Sequence, residues 1–300
     1  MELRHVRYFL AVAEARNFTR AAERLGIGQP PLSQQIRDLE DEVGARLFRR
    51  LPHGAELTEA GQAFLERVRH LPAQAGDAIE QARRAARGET GTLRLGFTAS
   101  AILMPAVTGA IRDFRRAWPA VAVALDEDNS AHLAAKLRDG RLDLAFLRQD
   151  GAEIGDMALH PIADEPMVVA VPAAHPLARK AGRRLRLERL RDEAFILTPR
   201  PVGATFHDAI LAACRAAGFE PRLGPHAPQL ASALALVAAE LGVSVVPAVM
   251  RQFALAGVAY RDIAGPRPIA RLALAHPRDR DAAPVANFVA LATSARKRSP

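Results

Sequence analysis

Residues 18–40, FTRAAERLGIGQPPLSQQIRDLE, contain two short apolar patterns of helical spacing that are separated by glycine. The first pattern predicts a helix that ends at Gly26, and the second predicts a helix that opens with two prolines. Proline costs least in the first turn of a helix, because the N–H that it lacks has no partner there. Leu32, Ile36 and Leu39 share one face of the second helix. The stretch therefore predicts a helix-turn-helix.

Three polar side chains of the second helix lie off this apolar face and are expected to point outward: Ser33, Gln34 and Arg37. A rigidly presented polar surface with one arginine suits the base edges and phosphates of a DNA major groove. An ordinary helical hairpin is the alternative interpretation, because helix-turn-helix patterns are loose.

Residues 1–61 as a whole resemble the winged helix-turn-helix domain of LysR-type transcriptional regulators. The matching motifs occur in order: LRH at 3–5, YF at 8–9, Phe18, AAERL at 21–25, QPPLSQQI at 29–36, LE at 39–40, LF at 47–48 and LTEAG at 57–61. The resemblance implies that the major groove is contacted by Gln29, Ser33, Gln34 and Arg37, with Pro30 and Pro31 setting the helix entry and packing against the DNA. It also implies a wing in which Arg50 reaches a phosphate or the minor groove. His53 stands where the family often has a second basic residue, and a neutral histidine would contribute less affinity.

Composition sets the broad class of the protein. The 300 residues are enough for two or three domains, and 49% hydrophobic and 25% charged residues are ordinary for a soluble protein. The net charge of +8 does not carry a DNA-binding interpretation by itself, because the excess lies mainly outside the first 91 residues. Cys214 is the one cysteine, so no internal disulfide can form. No apolar run reaches the roughly 18 residues of a membrane span, and MELRHVRYFL lacks a signal-peptide core. A cytoplasmic chain without a membrane partner is expected.

One long helix is predicted from Thr58 to about Arg87, in a linker segment at 58–90. Its apolar residues recur at coiled-coil spacing, with Leu57, Phe64, Leu71 and Ala78 at intervals of seven and Ala60, Val68, Ala75 and Ala82 between them. Pairing with a second chain is therefore expected, and packing on its own domain is the alternative. Pro72 should kink this helix or remove one hydrogen bond. The sequence GETG at 88–91 predicts its end and a hinge.

From Thr92 strands alternate with helices, which predicts an α/β domain with a parallel sheet. Strands are expected at 92–97, 121–125, 142–147, 167–171, 195–197, 243–246 and 269–276, and helices at 101–118, 131–139, 206–217, 229–240 and 285–296. The motifs LRDGRLDL at 137–144, VVAVP at 168–172, HPLA at 175–178 and GVSVVP at 242–247 resemble the LysR effector domain, which is like a two-lobed periplasmic binding protein. By that resemblance the effector domain spans 91–300, with lobe one at 92–162 and 267–300 and lobe two at 163–266. The predicted fold class is α/β, with an α-rich winged helix-turn-helix domain, a long linker helix and this two-lobed domain.

Three hydroxyl residues stand where helices are expected to begin: Ser100, Ser130 and Thr205. Helix N-termini favour anions, and hydroxyls add hydrogen-bond donors, although simple capping is the alternative for each. By the resemblance, Ser100, Ser130 and the loop 199–206 occupy positions that contact the effector. The expected contacts are Ser100, Ser130, Pro199, Val202, Gly203, Thr205, Phe206 and Gln229. The ELRHVRYF start and the GQPPLSQQI motif resemble the aromatic-catabolism branch, so an aromatic or dicarboxylic acid is expected. Arg148 is either its counter-charge or part of an ion pair between the lobes.

The sequence gives little support for a metal site, a catalytic site or a cofactor site. Asp126-Glu127-Asp128 lacks the His or Cys spacing of a metal site and predicts a solvated strand end. No GxSxG, Walker or HExxH motif occurs, so neither a catalytic site nor a cofactor is expected. The predicted function is an effector-switched transcriptional regulator, a homotetramer of linker-helix dimers, with DNA and RNA polymerase as partners. A solute-binding protein would leave residues 1–90 unexplained, and a DNA-associated enzyme would lack catalytic residues.

Overall fold

The computed structural model describes residues 1–52, 54–148, 156–178, 184–279 and 282–296. The chain divides into two compact units, Met1–Arg84 and Ala85–Pro300. No helix in the described ranges is long and apolar enough to cross a bilayer.

The first unit is a winged helix-turn-helix. Its elements are α1 (Leu3–Ala15), α2 (Phe18–Leu25), α3 (Gln29–Val43), β1 (Phe48–Leu51), β2 (Gly54–Leu57), α4 (Glu59–Val68) and the start of α5 (Leu71–Ala86). Gly26 ends α2 with a φ of 67°, a left-handed conformation that favours glycine. Leu32, Ile36 and Leu39 are fully buried and pack α3 against α1 and α2. Strands β1 and β2 pair antiparallel and form the wing.

The predicted linker helix is interrupted, and Pro72 explains where. Helix α4 ends at Val68 and α5 begins at Leu71. A continuous helix would need the N–H of residue 72 to donate to the Val68 carbonyl, and proline has no N–H; its ring also clashes with that carbonyl. The prediction of a single helix was therefore wrong, although the expected disruption at Pro72 was right.

The predicted coiled-coil stripe divides at the same break. In α4, Phe64 packs edge-on against Phe9 of α1 at a centroid distance of 5.0 Å, and Val68 is buried in the same core. No residue of α5 is buried, and Ile79 is 54% exposed. The first half of the stripe thus packs on the DNA-binding core, which was the alternative to pairing with a second chain. Only the α5 half presents an uncovered apolar surface.

The second unit carries the remaining elements. Its strands are β3 (Gly91–Phe97), β4 (Val121–Glu127), β5 (Leu144–Arg148), β6 (Met157–Pro172), β7 (Ala194–Phe195), β8 (Arg222–Leu223), β9 (Ser244–Pro247), β10 (Val258–Asp262) and β11 (Ile269–Pro277). Its helices are α6 (Pro105–Ala117), α7 (Ser130–Arg138), α8 (Arg200–Ala216), α9 (Leu230–Ala238) and α10 (Ala283–Arg296), with short 3₁₀ segments at Leu187–Leu190 and Ala248–Phe253.

A seven-stranded sheet runs through both lobes in the order β10-β6-β11-β5-β3-β4, with β9 also paired to β6. Strands β3, β4 and β5 pair parallel, as predicted. Strand β11 is antiparallel to β5 and β6, and both β9 and β10 are antiparallel to β6. The expectation of a parallel sheet is therefore confirmed only for the βαβ part of lobe one. The other strand pairs of this sheet are antiparallel, and antiparallel neighbours need no helical crossover.

Strand β6 joins the lobes. Its residues 157–166 pair with β11 in lobe one, and residues 167–172 pair with β9 and β10 in lobe two. Pro161 lies in this strand beside a register shift between Leu272 and Ala273 of β11. A bulge tolerates a residue that cannot donate to the ladder. Where β6 leaves lobe one, the Met167 N–H donates to the Pro268 carbonyl at 3.0 Å.

Candidate functional site

A cavity of about 390 Å³ lies between the two lobes of the second unit. Seven of the eight residues expected to contact an effector line it: Ser100, Ser130, Val202, Gly203, Thr205, Phe206 and Gln229. Pro199 is not among the lining residues. It precedes the first turn of α8, where its carbonyl accepts the N–H groups of Val202 and Gly203. The geometry thus brings together hydroxyl, amide and apolar side chains from both lobes.

Ser100 does not begin a helix. Residues 101–104 form turns in which the Thr98 carbonyl accepts the N–H groups of Ala101 and Ile102, and α6 begins only at Pro105. Ser100 is 2% exposed, and its hydroxyl accepts hydrogen bonds from Nε and Nη2 of Arg148 at 3.3 and 3.1 Å. Its place in the cavity therefore comes from the arginine that it contacts rather than from a helix N-terminus.

Ser130 does lie at a helix start. It is the first residue of α7, and Asn129 is the cap whose side chain accepts the His132 N–H at 2.9 Å. The Ser130 hydroxyl accepts the backbone N–H of Arg148 at 3.1 Å. The residue thus ties the start of α7 to the end of β5.

Arg148 is the last residue of β5 and is buried, with 2% of its surface exposed. Its Nη2 donates to Glu165 at 2.8 Å, and its Nη1 donates to the Ala270 carbonyl at 3.0 Å. The Phe206 ring lies over the guanidinium at 5.5 Å. Burial lowers the pKa of Arg148, and the Glu165 charge opposes that effect. Arg148 therefore forms an ion pair with Glu165 where β6 approaches the crossing between the lobes, and its role as a counter-charge for an effector stays a prediction.

Glu165 is the residue that sequence reasoning missed in this part of the site. It stands on β6 just before the crossing, and its other oxygen accepts the N–H of Val249, which belongs to the 3₁₀ segment of lobe two. The carboxylate therefore holds Arg148 from lobe one and a backbone group from lobe two. The Asp164-Glu165 pair between Pro161 and Pro166 gave no sequence signal for this role.

Two threonine hydroxyls in the cavity wall have no hydrogen-bond partner among the described residues. The Oγ1 atoms of Thr98 in lobe one and Thr205 in lobe two are both buried. Thr205 follows a kink in α8, where Gly203 has φ −153° and ψ 62°, so a second helical segment begins beside the cavity. Unpaired buried hydroxyls cost stability unless another molecule satisfies them. Thr98 was not predicted, although it lies only two residues before Ser100.

The acidic run at the end of β4 lies at the cavity rim. Glu127 and Asp128 line the cavity, and Lys136 donates to Asp126 at 2.8 Å and to Asp128 at 3.0 Å. Partial burial raises the pKa of Asp128, but hydrogen bonds from Lys136, Asn129 and His132 outweigh it, so the pKa lies below its ordinary value. Among the described residues no group of three or more His, Cys, Asp and Glu side chains is placed to hold a metal ion.

Helix α3 of the first unit carries the predicted DNA contacts. Pro30, Pro31, Gln34 and Arg37 are exposed, and Gln29 is half-buried. Ser33 differs from the prediction because it is only 4% exposed, and its hydroxyl accepts the Gln29 amide at 2.9 Å. Residues at intervals of three and four share a helix face, so Ser33 lies in line with Ile36 and Glu40 on the buried side. The exposed polar surface of α3 is therefore narrower than expected.

The exposed side chains of α3 order one another. Arg37 Nη2 donates to Gln34 Oε1 at 2.6 Å, and the Gln34 amide donates to Asp38 at 2.7 Å. On the wing, the exposed Arg50 guanidinium lies 4.7 Å from the Phe18 ring centroid. His53 lies outside the described residues. These contacts pre-orient two cationic side chains on the recognition helix and the wing.

Glu40 fixes the recognition helix to the wing. Its carboxylate is 6% exposed and accepts the backbone N–H groups of Leu47 and Phe48 at 2.8 and 3.1 Å, and Arg46 at 2.7 Å. The hydrogen bond with Glu40 raises the pKa of Arg46. The LE pair at 39–40 was recognised as a motif, but its spacing did not reveal this structural role.

Comparison with known proteins agrees with this architecture. Residues 3–62 match the model of the bacterial regulatory helix-turn-helix protein, lysR family, and residues 86–297 match the LysR substrate binding domain. The chain is 40% identical over 263 residues to the HTH-type transcriptional regulator BudR of Raoultella terrigena, covering 88% of this chain and 90% of that protein. It is 38% identical over 265 residues to the regulator AlsR of Bacillus subtilis, covering 87% and 85%. The structure of full-length CbnR complexed with its target DNA superposes with a TM-score of 0.82 at 30% identity and covers 99% of this chain and 100% of CbnR. The relatives are named as transcriptional regulators, and their names state no effector.

Proposed function

The chain belongs to the LysR family of DNA-binding transcriptional regulators, and on that premise we propose that a small organic anion in the cavity switches its activity. The proposed contacts are Ser100, Ser130, Val202, Gly203, Thr205, Phe206 and Gln229, with Pro199 left out because it does not line the cavity. Within the aromatic-catabolism branch that the sequence resembles, the effector would be an aromatic or dicarboxylic acid.

The observation that carries the proposal is a hydroxyl-rich cavity of about 390 Å³ with walls from both lobes. Ser100 and Ser130 each accept a hydrogen bond from Arg148, so each keeps its own proton for donation to a ligand. Donors aimed at a carboxylate form charge-assisted hydrogen bonds, which are stronger than neutral ones. Phe206, Val202 and Leu230 supply the apolar wall for the rest of the ligand.

The proposed output is a change in how the DNA-binding units engage their operator. Gln29, Pro30, Pro31, Gln34, Arg37 and Arg50 would contact DNA, and α5 would pair two chains, with dimers associating into a tetramer that contacts RNA polymerase. A ligand shifts conformation only by its differential affinity for the two states. A difference of about 1–3 kcal/mol would be enough to regulate binding.

The test is a thermal-shift screen of aromatic and dicarboxylic acids on the full-length protein and on the double variant Ser100→Ala, Ser130→Ala. At about 100 times its Kd, a ligand adds about 2.7 kcal/mol of stability, which raises Tm by a few degrees. We expect hits on the wild type and a reduced ligand-induced shift in the double variant, because two donors are lost.

Ser244→Ala is the matched control. Ser244 is also buried and hydrogen-bonded, donating to the Ile196 carbonyl at 2.7 Å, but it does not line the cavity. Its variant should lose stability without losing the ligand-induced shift. An acid that stabilises the double variant as much as the wild type would bind elsewhere, and a screen without any anionic hit would reject the proposal.

A further inference from the structure

The charged residues that line the cavity do not all form an ion pair with a described residue. Its charged lining residues within the described chain are Arg148, Glu127 and Asp128. Arg148 is paired with Glu165 at 2.8 Å, and Asp128 is paired with Lys136 at 3.0 Å. Glu127 is exposed and forms no ion pair with a described residue. The lining therefore carries one unmatched charge, and that charge is negative.

The hydrogen-bond donors are concentrated in the buried part of the cavity. Ser100 and Ser130 have acceptor positions filled by Arg148 and retain free O–H donors. Thr98 is 9% exposed and Thr205 is partly buried, and the hydroxyl oxygen of each is buried without a partner among the described residues. These four hydroxyl residues from the two lobes thus line the cavity, and the hydroxyls of Ser100 and Ser130 can donate to an anionic group. Glu127, in contrast, is exposed at the rim.

We infer that the cavity selects a ligand with a single carboxylate, and that Glu127 is the residue that sets this limit. The inference rests on the proposed function and narrows its ligand class to monocarboxylates. The carboxylate would lie among the hydroxyls and the ligand body against Phe206 and Leu230. The far end would be neutral or would carry a hydrogen-bond donor. A second carboxylate at that end would meet a like charge with no described cation free to offset it.

The size of the effect follows from the position of Glu127. Charges at an exposed rim interact through a high effective dielectric, so the repulsion should change affinity by roughly three- to tenfold rather than abolish binding. It should also weaken at high ionic strength, because salt screens exposed charges. An affinity change of this size that also weakens with added salt identifies an electrostatic rather than a steric restriction on the ligand.

The experiment measures the Kd of matched mono- and dicarboxylates by calorimetry with the full-length protein. The probes are benzoate with isophthalate, and pentanoate with glutarate, at about pH 7.5, where every carboxyl group is ionised. In the wild type each monocarboxylate should bind more tightly than its partner. Glu127→Gln keeps the shape of the side chain and removes its charge. The variant should lower the Kd of each dicarboxylate by roughly three- to tenfold and leave the Kd of each monocarboxylate unchanged, so the preference falls by the same factor.

Glu188→Gln is the control, since Glu188 is an exposed carboxylate of lobe two outside the cavity lining. It should leave the preference unchanged, while added salt should reduce the preference of the wild type. An unchanged preference in Glu127→Gln, or tighter binding of the dicarboxylates to the wild type, would overturn this inference alone. If none of the four acids binds any of the three proteins, this inference fails, whereas the proposed function is decided by the wider screen of acids.

Discussion

At the scale of single residues, the polar surface of the recognition helix is smaller than its sequence indicates. Ser33 is buried beside the domain core, whereas Gln34 and Arg37 stay exposed and hydrogen-bond to each other at 2.6 Å. Because this contact orders the guanidinium before DNA arrives, less side-chain entropy is lost on binding. Arg37 is therefore the strongest candidate for a base contact.

Arg37→Ala should weaken binding to the DNA upstream of the protein's own gene by about 1–3 kcal/mol and relax discrimination against unrelated DNA. Gel shifts at two salt concentrations measure both effects. Arg112→Ala removes the same charge from an arginine of the second unit that is 59% exposed, and it should leave affinity unchanged. Equal operator affinity for Arg37→Ala and the wild type would contradict a base contact.

At the scale of elements, Pro72 separates a helix that completes the DNA-binding core from one with no buried residue. Phe64 and Val68 of α4 pack on that core. In α5 the apolar residues Ala75, Ala78, Ile79 and Ala82 lie on one face, as in a coiled-coil seam. A test of dimerisation should therefore change α5, because a charge at Phe64 would damage the domain core.

Ile79→Asp should dissociate the dimer in sedimentation velocity at micromolar concentration, since it places an unpaired charge in the seam. Ala73→Asp adds the same charge on the opposite, exposed face of α5 and should leave the dimer intact. Indistinguishable sedimentation of the two variants, or a monomeric wild type, would rule out α5 as the pairing element.

At the scale of the whole molecule, the chain forms two compact units, and in the second unit one buried carboxylate contacts both lobes. Glu165 is 7% exposed and holds Arg148 in lobe one and the Val249 N–H in lobe two. Removing one partner of a buried ion pair leaves the other charge uncompensated. The consequence should reach both lobes but not the separately formed first unit.

Glu165→Ala should destabilise residues 85–300 by about 3–5 kcal/mol. Hydrogen exchange resolved by peptide should show faster exchange in β5, β6 and β11 and unchanged exchange in α1–α3. Glu220→Ala breaks an exposed pair with Arg215 and should cost at most about 1 kcal/mol. Equal protection from hydrogen exchange in the two variants would mean that Glu165 does not link the lobes energetically.

The sequence by itself determined the local elements and the family. Apolar spacing predicted the two helices of the helix-turn-helix and the βαβ run of lobe one, because these patterns depend on neighbours within a few residues. Motif order identified the LysR resemblance, and the contacts predicted with it include seven of the sixteen described residues that line the cavity. The disruption at Pro72 was also local, since it depends on one missing N–H.

The tertiary structure decided what depends on residues distant in the chain. Residues 157–166 have two prolines and three charged or histidine side chains and gave no strand signal, yet β11 pairs with them through a bulge. Ser33 became buried and Phe64 partly buried because other helices cover them. Arg148 contacts Glu165 and Ser100 only in the folded chain, where three separate segments meet. Burial and charge pairing are properties of the assembled core, so side-chain spacing along the chain could not predict them.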